Sequence, residues 1–295
     1  MKIAYIIHTQ KMDNGTVRVI RYLTSQEDHV FLMINDKNDR IDASYSFSAN
    51  PRVHVEQEFP YAQEGDLSLT RFYLLSMKKG LEIGGFKYFV NLDARMTPIK
   101  TIEDIHEQLT QIYPSNVYKI LENNPSKKQI TNVLKYHAFT NILSFPTRTF
   151  VRNFSKSTAF ILNLFGIKRK LDDKIVLGSQ YFVISDQGAK QLVDNIGYSS
   201  TFFKLSWYPE QSCLIMMLEK FCTQEHLDTQ YHYVGPNGLV ELSSGARPLD
   251  KFETKTPDYL FAGQFDRDKI KKILKDLKKN IDGEIPALNE DYTYA

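Results

Sequence analysis

Cysteine is scarce in this chain: 295 residues hold two, Cys213 and Cys222. There is no Cys-x-x-Cys pair and no Cys/His cluster, which argues against a zinc site or a disulfide framework and favours a reducing, cytosolic compartment. Long apolar runs are missing as well. No stretch of 18 or more apolar residues occurs, so no membrane span is predicted. The run Ile3–Ile7 is too short for the core of a secretory leader and reads as a first β-strand. Neither Gly-x-Gly-x-x-Gly nor a P-loop is present. A net charge of +2 provides no global field for nucleic acid. The one Asp-x-Asp, Asp266-Arg267-Asp268, opens a helix, where acids complement the dipole, and so no acid pair at a strand end is predicted to hold a metal.

What is present is the composition of a soluble globular protein, 42% apolar and 13% aromatic. With no repeat, low-complexity tract or linker, residues 1–295 read as one domain whose polar end, 282–295, is a flexible tail. Apolar strand patterns fall at Met1–Ile7, Val30–Ile34, Val53–Val55, Phe86–Leu92, Ile175–Ile184 and Leu260–Ala262. They alternate with helical spacing at Val17–Leu23, Leu67–Leu81, Thr101–Ile112, Gln187–Asn195, Pro209–Lys220 and 267–279. Strand, loop, helix, strand in this order predicts an α/β fold with a mostly parallel central sheet flanked by helices. Asn35–Arg40 reads as a loop. Residues 131–170 read as mostly helical with a break at Pro146. Tyr231–Val234 and Leu239–Leu242 flank a hairpin turn signal.

Open α/β sheets bind ligands at the C-terminal ends of their strands. His8, Thr9 and Lys11 follow the first strand, Asn35 follows the second and Asp93 ends the central one. They offer polar groups for a base and ribose and a cation for phosphate. Ordinary solvated loops, with Asp93 satisfying backbone N–H groups, are the alternative. The stretch 178–212 is the most informative. A small-residue turn at Gly178-Ser179 enters an apolar run and a helix, and a second helix is predicted to start at Pro209 beside Glu210 and Gln211. A carboxylate at a helix N-terminus is held in the charged form a general base needs, although a first-turn acid that only complements the dipole has the same pattern. Arg247 and Lys251 are suited to a diphosphate, or to solvated surface charge. Tyr181, Trp207 and Tyr208 have faces that stack on sugars, with core packing as the alternative for Tyr181. Residues 145–171 carry six cations and no acid, around the apolar run 159–165. A core helix with solvated ends is the preferred account there, and peripheral contact with an anionic membrane is the rival.

Taken together, these segments resemble the core-2/I-branching N-acetylglucosaminyltransferase family, glycosyltransferase family 14, in its bacterial branch. The likeness runs through residues 1–11, Phe31–Lys37, 88–100, Gly178–Ser185, Pro209-Glu210-Gln211 and 260–266, in the family's order. The resemblance implies a GT-A-type fold and inverting, metal-independent transfer of a sugar, N-acetylglucosamine foremost, from a UDP-sugar to a glycan or lipid-linked glycan in surface polysaccharide assembly. It implies no cofactor beyond the donor. An acid would deprotonate the acceptor while cations neutralise the departing UDP. This chain departs from the pattern at three places. The family's Glu aligns with Gln211, its diphosphate Arg-Lys aligns with Gly263-Gln264, and its loop Asp aligns with Met96. Either Glu210 serves as the base, or the chain is a non-catalytic binder of nucleotide-sugar or glycan, or Gln211 is an engineered change.

Overall fold

The apolar run at the N-terminus forms β1 (Ile3–Thr9), and its unbroken hydrophobicity has a structural cause: both of its faces are covered. The structure is a computed structural model that describes residues 1–58, 61–62, 67–94, 96–137, 148–170, 173–206, 209–234, 259–263 and 265–279. After β1 come α1 (Asn14–Leu23), β2 (His29–Ile34), α2 (Lys37–Ser46), β3 (Val53–Val55), α3 (Leu67–Ile83), β4 (Tyr88–Asp93) and the short β5 (Thr97–Pro98). Then follow α4 (Ile102–Ile112), β6 (Asn116–Glu122), α5 (Lys127–Leu134), α6 (Arg148–Leu164), β7 (Leu177–Ser185), α7 (Asp186–Asp194) and α8 (Ile196–Phe202). A 3-10 turn (Pro209–Gln211) leads into α9 (Cys213–Phe221), β8 (His226–Leu227), β9 (His232–Val234), β10 (Phe261–Gly263) and a last helix, α10 (Arg267–Lys279).

Seven strands form the main sheet in the order β3-β2-β1-β4-β7-β6-β8. β7 alone runs against its neighbours β4 and β6; the other pairings are parallel. A three-stranded sheet, β5-β10-β9, lies beside it. Alternate residues of β1 divide the core. Ile3, Tyr5 and Ile7 pack with α1, α4, α10 and the small sheet, and Ala4 and Ile6 pack with α3, α7 and α9. Among the described residues no helix is long and apolar enough to cross a membrane.

Local chemistry sets the helix starts. Thr101 and Asp104 form a capping box at the start of α4, and Ser185 caps α7 through the Gly188 N–H. Three expectations are corrected. Asn35–Arg40 is no loop: Asp36 accepts from the N–H groups of Asn38 and Asp39 and starts α2 at Lys37. β6 lies where no strand was assigned, and bulges against β7 disturb its register. No single helix runs from Pro209 to Lys220. A 3-10 turn closes on Ser212, and α9 starts where the polar residues meet six consecutive buried ones, Cys213–Leu218. Residues 235–242, which carry the predicted hairpin turn, and the tail 282–295 lie outside the described residues; β9 itself pairs in parallel with β10.

The core-helix account of 148–170 also fails. Among the described side chains of α6, Ser155 and Ala159 are buried, while Phe154, Phe160, Ile161 and Leu164 are exposed. Arg169, read as one of the solvated cations, is buried. Its guanidinium donates to the carbonyls of Val133, Lys135 and Lys204 at 2.6–2.7 Å and lies over the Tyr136 ring.

Candidate functional site

From β1 the chain winds outward through β2 and β3 on one side, and β4 lies on the other, so strand order reverses between β1 and β4. At such a point the loops diverge and leave a crevice at the C-terminal ends of the strands. The register sets His8 of β1 against Asp93 of β4. Because β7 is antiparallel to β4, its N-terminal half, with Gln180 and Tyr181, lies at this same edge.

Asn91 shapes that edge. The β4–β7 ladder runs from Tyr88 to Val90. At the next position the Asn91 carboxamide intervenes: its Oδ1 accepts from the Phe182 N–H at 2.7 Å and its Nδ2 donates to the Gln180 carbonyl at 2.8 Å. A side chain in the place of a backbone ladder separates the two strands where the crevice lies. In the sequence Asn91 is a lone amide within the apolar run Phe86–Leu92, with no motif to mark it.

His8 and Asn35 act together. A ring nitrogen of His8 lies 3.2 Å from Asn35 Nδ2. Burial lowers the His8 pKa, opposed by the Ala62 carbonyl and the charge of Asp93, so the ring is neutral at pH 7. Asn35 grips residue 62 from both sides, accepting from its N–H at 2.9 Å and donating to its carbonyl at 2.7 Å. Its amide also donates to Gln10. Asn35 therefore holds the 61–62 segment over the strand ends. Thr9 is buried, with its hydroxyl donating to the Lys11 carbonyl, and Lys11 is exposed. Thr16 at the start of α1 donates to the Ala94 carbonyl, tying the loop after β1 to the loop after β4. Met96 stands at the aligned position of the family's loop Asp, and it is fully buried in the core.

The two residues of the predicted acid–amide pair separate. Glu210 is 5% exposed, inside the 3-10 turn that packs on α3, α9 and β7, and Gln211 is exposed. The expectation of a carboxylate at a helix N-terminus is thus corrected to a buried acid in the turn before α9. Gly178 lets α9 close on β7: a Cβ there would meet Ile215 Cγ1 at 2.7 Å and the Lys119 carbonyl at 2.8 Å. The chain leading to the turn is pinned. Lys204 and Leu205 give their carbonyls to Arg169 and to the His137 N–H, and Leu205 takes the left-handed region at φ 62°. A leucine there is strained and persists because the surrounding bonds hold it. Trp207, Tyr208, Arg247 and Lys251 lie outside the described residues.

Tyr181 is half-buried, and its ring stacks on His232 at 5.2 Å; His232 in turn stacks on Phe261 at 5.3 Å. The column joins β7 to the small sheet. Burial pushes the His232 pKa down to about 3, opposed by the Asn91 backbone carbonyl that accepts from the ring. Its other nitrogen, Nε2, is buried with no hydrogen-bond partner. His232 went unnoticed in the sequence because it sits in a short apolar strand with no motif around it. Among the described residues no three His, Cys, Asp or Glu side chains are grouped to hold a metal ion.

No protein-family model matches the chain, and no curated protein matches it. Among solved structures it is similar to the bifunctional IspDF from Campylobacter jejuni, with 9% identity, 78% of this chain covered and a TM-score of 0.33. That match spans 50% of the other chain, so this chain covers half of that protein's length. It is also similar to mouse xyloside xylosyltransferase 1 in its apo form, with 7% identity over 77% of this chain and 84% of that one and a TM-score of 0.36. With scores this low, neither likeness bears on activity.

Proposed function

We propose that this chain is a GT-A-type glycosyltransferase of the family it resembles in sequence, moving a sugar, N-acetylglucosamine foremost, from a UDP-sugar to a glycan or lipid-linked glycan. The observation that carries the reading is the reversal of strand order between β1 and β4. It gathers His8, Thr9, Asn35 and Asp93 at the edge where the N-terminal half of β7 lies, and the turn that contains Glu210 packs on β7. In this reading the first-strand loop and Asp93 meet the nucleotide. Glu210 accepts the proton of the acceptor hydroxyl as its oxygen bonds to the anomeric carbon from the face opposite the diphosphate. The carbon–oxygen bond to UDP breaks, UDP leaves with the electron pair, and the sugar inverts to a β-linkage. Positive charge from Arg247 and Lys251 stabilises the leaving diphosphate without a metal.

The test is UDP release on incubation with UDP-sugars and oligosaccharide acceptors, with and without EDTA. Glu210→Gln should abolish turnover. Gln211→Ala should change it less than about two-fold, given that its side chain is exposed. A rate that EDTA abolishes removes the metal-independent mechanism. An exposed amide where the family places its base favours a second reading, a non-catalytic nucleotide-sugar binder. Calorimetric binding of UDP with no release from any donor selects that reading. Absence of both binding and turnover ends the assignment.

A further inference from the structure

We propose that α6 and the turn after it form a docking face for an anionic lipid bilayer. This does not depend on the sugar-transfer reading. A helix of a water-soluble protein turns its large apolar residues inward and its small or polar ones outward; α6 does the reverse. Among its described side chains the buried ones are Ser155 and Ala159, 0% and 2% exposed, whereas Phe160 is 64% exposed and Leu164 72%. At 100° per residue, Phe154, Phe160, Ile161 and Leu164 fall within an arc of about 120° centred opposite the Ser155–Ala159 stripe. The exposed side chains therefore form one face.

The end of the helix extends that face. Gly166, at φ 73°, closes a cap in which the Ile167 N–H reaches back to the Leu162 carbonyl at 2.9 Å. The reversal leaves Phe165, 74% exposed, and Ile167 at the helix end. From there the chain alternates: Lys168 and Lys170 are exposed, and Arg169 between them points inward to its three carbonyls.

Charge identifies the occupant. Lys156 on the helix and Lys168 and Lys170 beyond its end are exposed, and between Glu122 and Asp172 the chain carries no acid. An apolar face bordered by cations of one sign fits an anionic headgroup layer, with phenylalanine and leucine entering the acyl boundary and lysines held at the phosphates. A second copy of this chain would bring the same cations against themselves.

The test is co-sedimentation of the full chain with phosphatidylcholine vesicles, with and without phosphatidylglycerol, over a range of salt. Binding should need the anionic lipid and weaken as salt rises. Lys168→Ala and Lys170→Ala should each lower the partition coefficient about five-fold. The triple change Phe160→Ser, Leu164→Ser, Phe165→Ser should lower it more than about ten-fold. Because these side chains are exposed in water, its thermal melt should stay within about 2 °C of the parent, which separates lost docking from lost folding. Three results overturn the proposal: no preference for anionic vesicles, partition unmoved by either set of changes, or a dimer in sedimentation velocity that the triple change dissolves.

Discussion

Replacing His232 with phenylalanine should make the protein less stable at pH 7 and more stable at pH 5. The ring is buried between Tyr181 and Phe261, and burial lowers its pKa from the ordinary 6.5 to about 3. Between those values the unfolded chain binds a proton that the folded chain refuses, so stability rises with pH there, by about 1.4 kcal/mol per unit. The His232 contribution is full above pH 6.5 and declines as pH falls toward 3. Between pH 7 and pH 5 the loss integrates to about 2 kcal/mol. Phenylalanine keeps the stack and does not titrate. It removes the donor to the Asn91 carbonyl, which costs about 1 kcal/mol at pH 7. The two proteins should therefore exchange rank near pH 6. Urea unfolding of both at pH 7, 6 and 5 measures this. His8, His29 and His54, whose pKa values are also lowered, contribute equally to both proteins and cancel in the difference. Parallel stability–pH curves for the two proteins would refute the reasoning, because His232 would then titrate alike in both states.

Two more predictions follow from named bonds. Asn91→Leu keeps the number and branching of the side-chain heavy atoms but leaves the Phe182 N–H and the Gln180 carbonyl without their partner; a loss of about 2–4 kcal/mol in urea unfolding is expected, and a change under about 0.5 kcal/mol would show that the carboxamide does not bridge the strands. Arg169→Met should cost a similar amount and impair any activity that depends on the turn at Glu210, since one guanidinium holds α5 and the Lys204 carbonyl together. Arg169→Lys should restore little, because an ammonium lacks the planar fork that spans two segments; full recovery in a thermal melt would contradict that role.

Local patterns are legible where a few neighbouring residues settle the outcome. The run Ile3–Ile7 forms the strand its pattern predicts, and the Thr101–Asp104 box and the Ser185 cap likewise depend on contacts within a few positions. The α/β class follows from the same alternation of strands and helices. Asn35–Arg40 misleads because a capped polar helix and a solvated loop share a composition, and only the Asp36 bonds distinguish them. The break after Gln211 depends on how α9 seats against β7 over Gly178, a long-range fit that periodicity does not carry.

The sequence alone therefore determined the first strands and the polar residues that follow them. Strand order, the place of β7 between β4 and β6, the Asn91 bridge and the depth of His232 and Arg169 were decided by tertiary structure. Each joins residues tens of positions apart, such as Asn91 with Phe182 and Arg169 with Lys204. The outward face of α6 belongs with them: its apolar spacing is that of any amphipathic helix, and only the packing of Ser155 and Ala159 shows which side meets water.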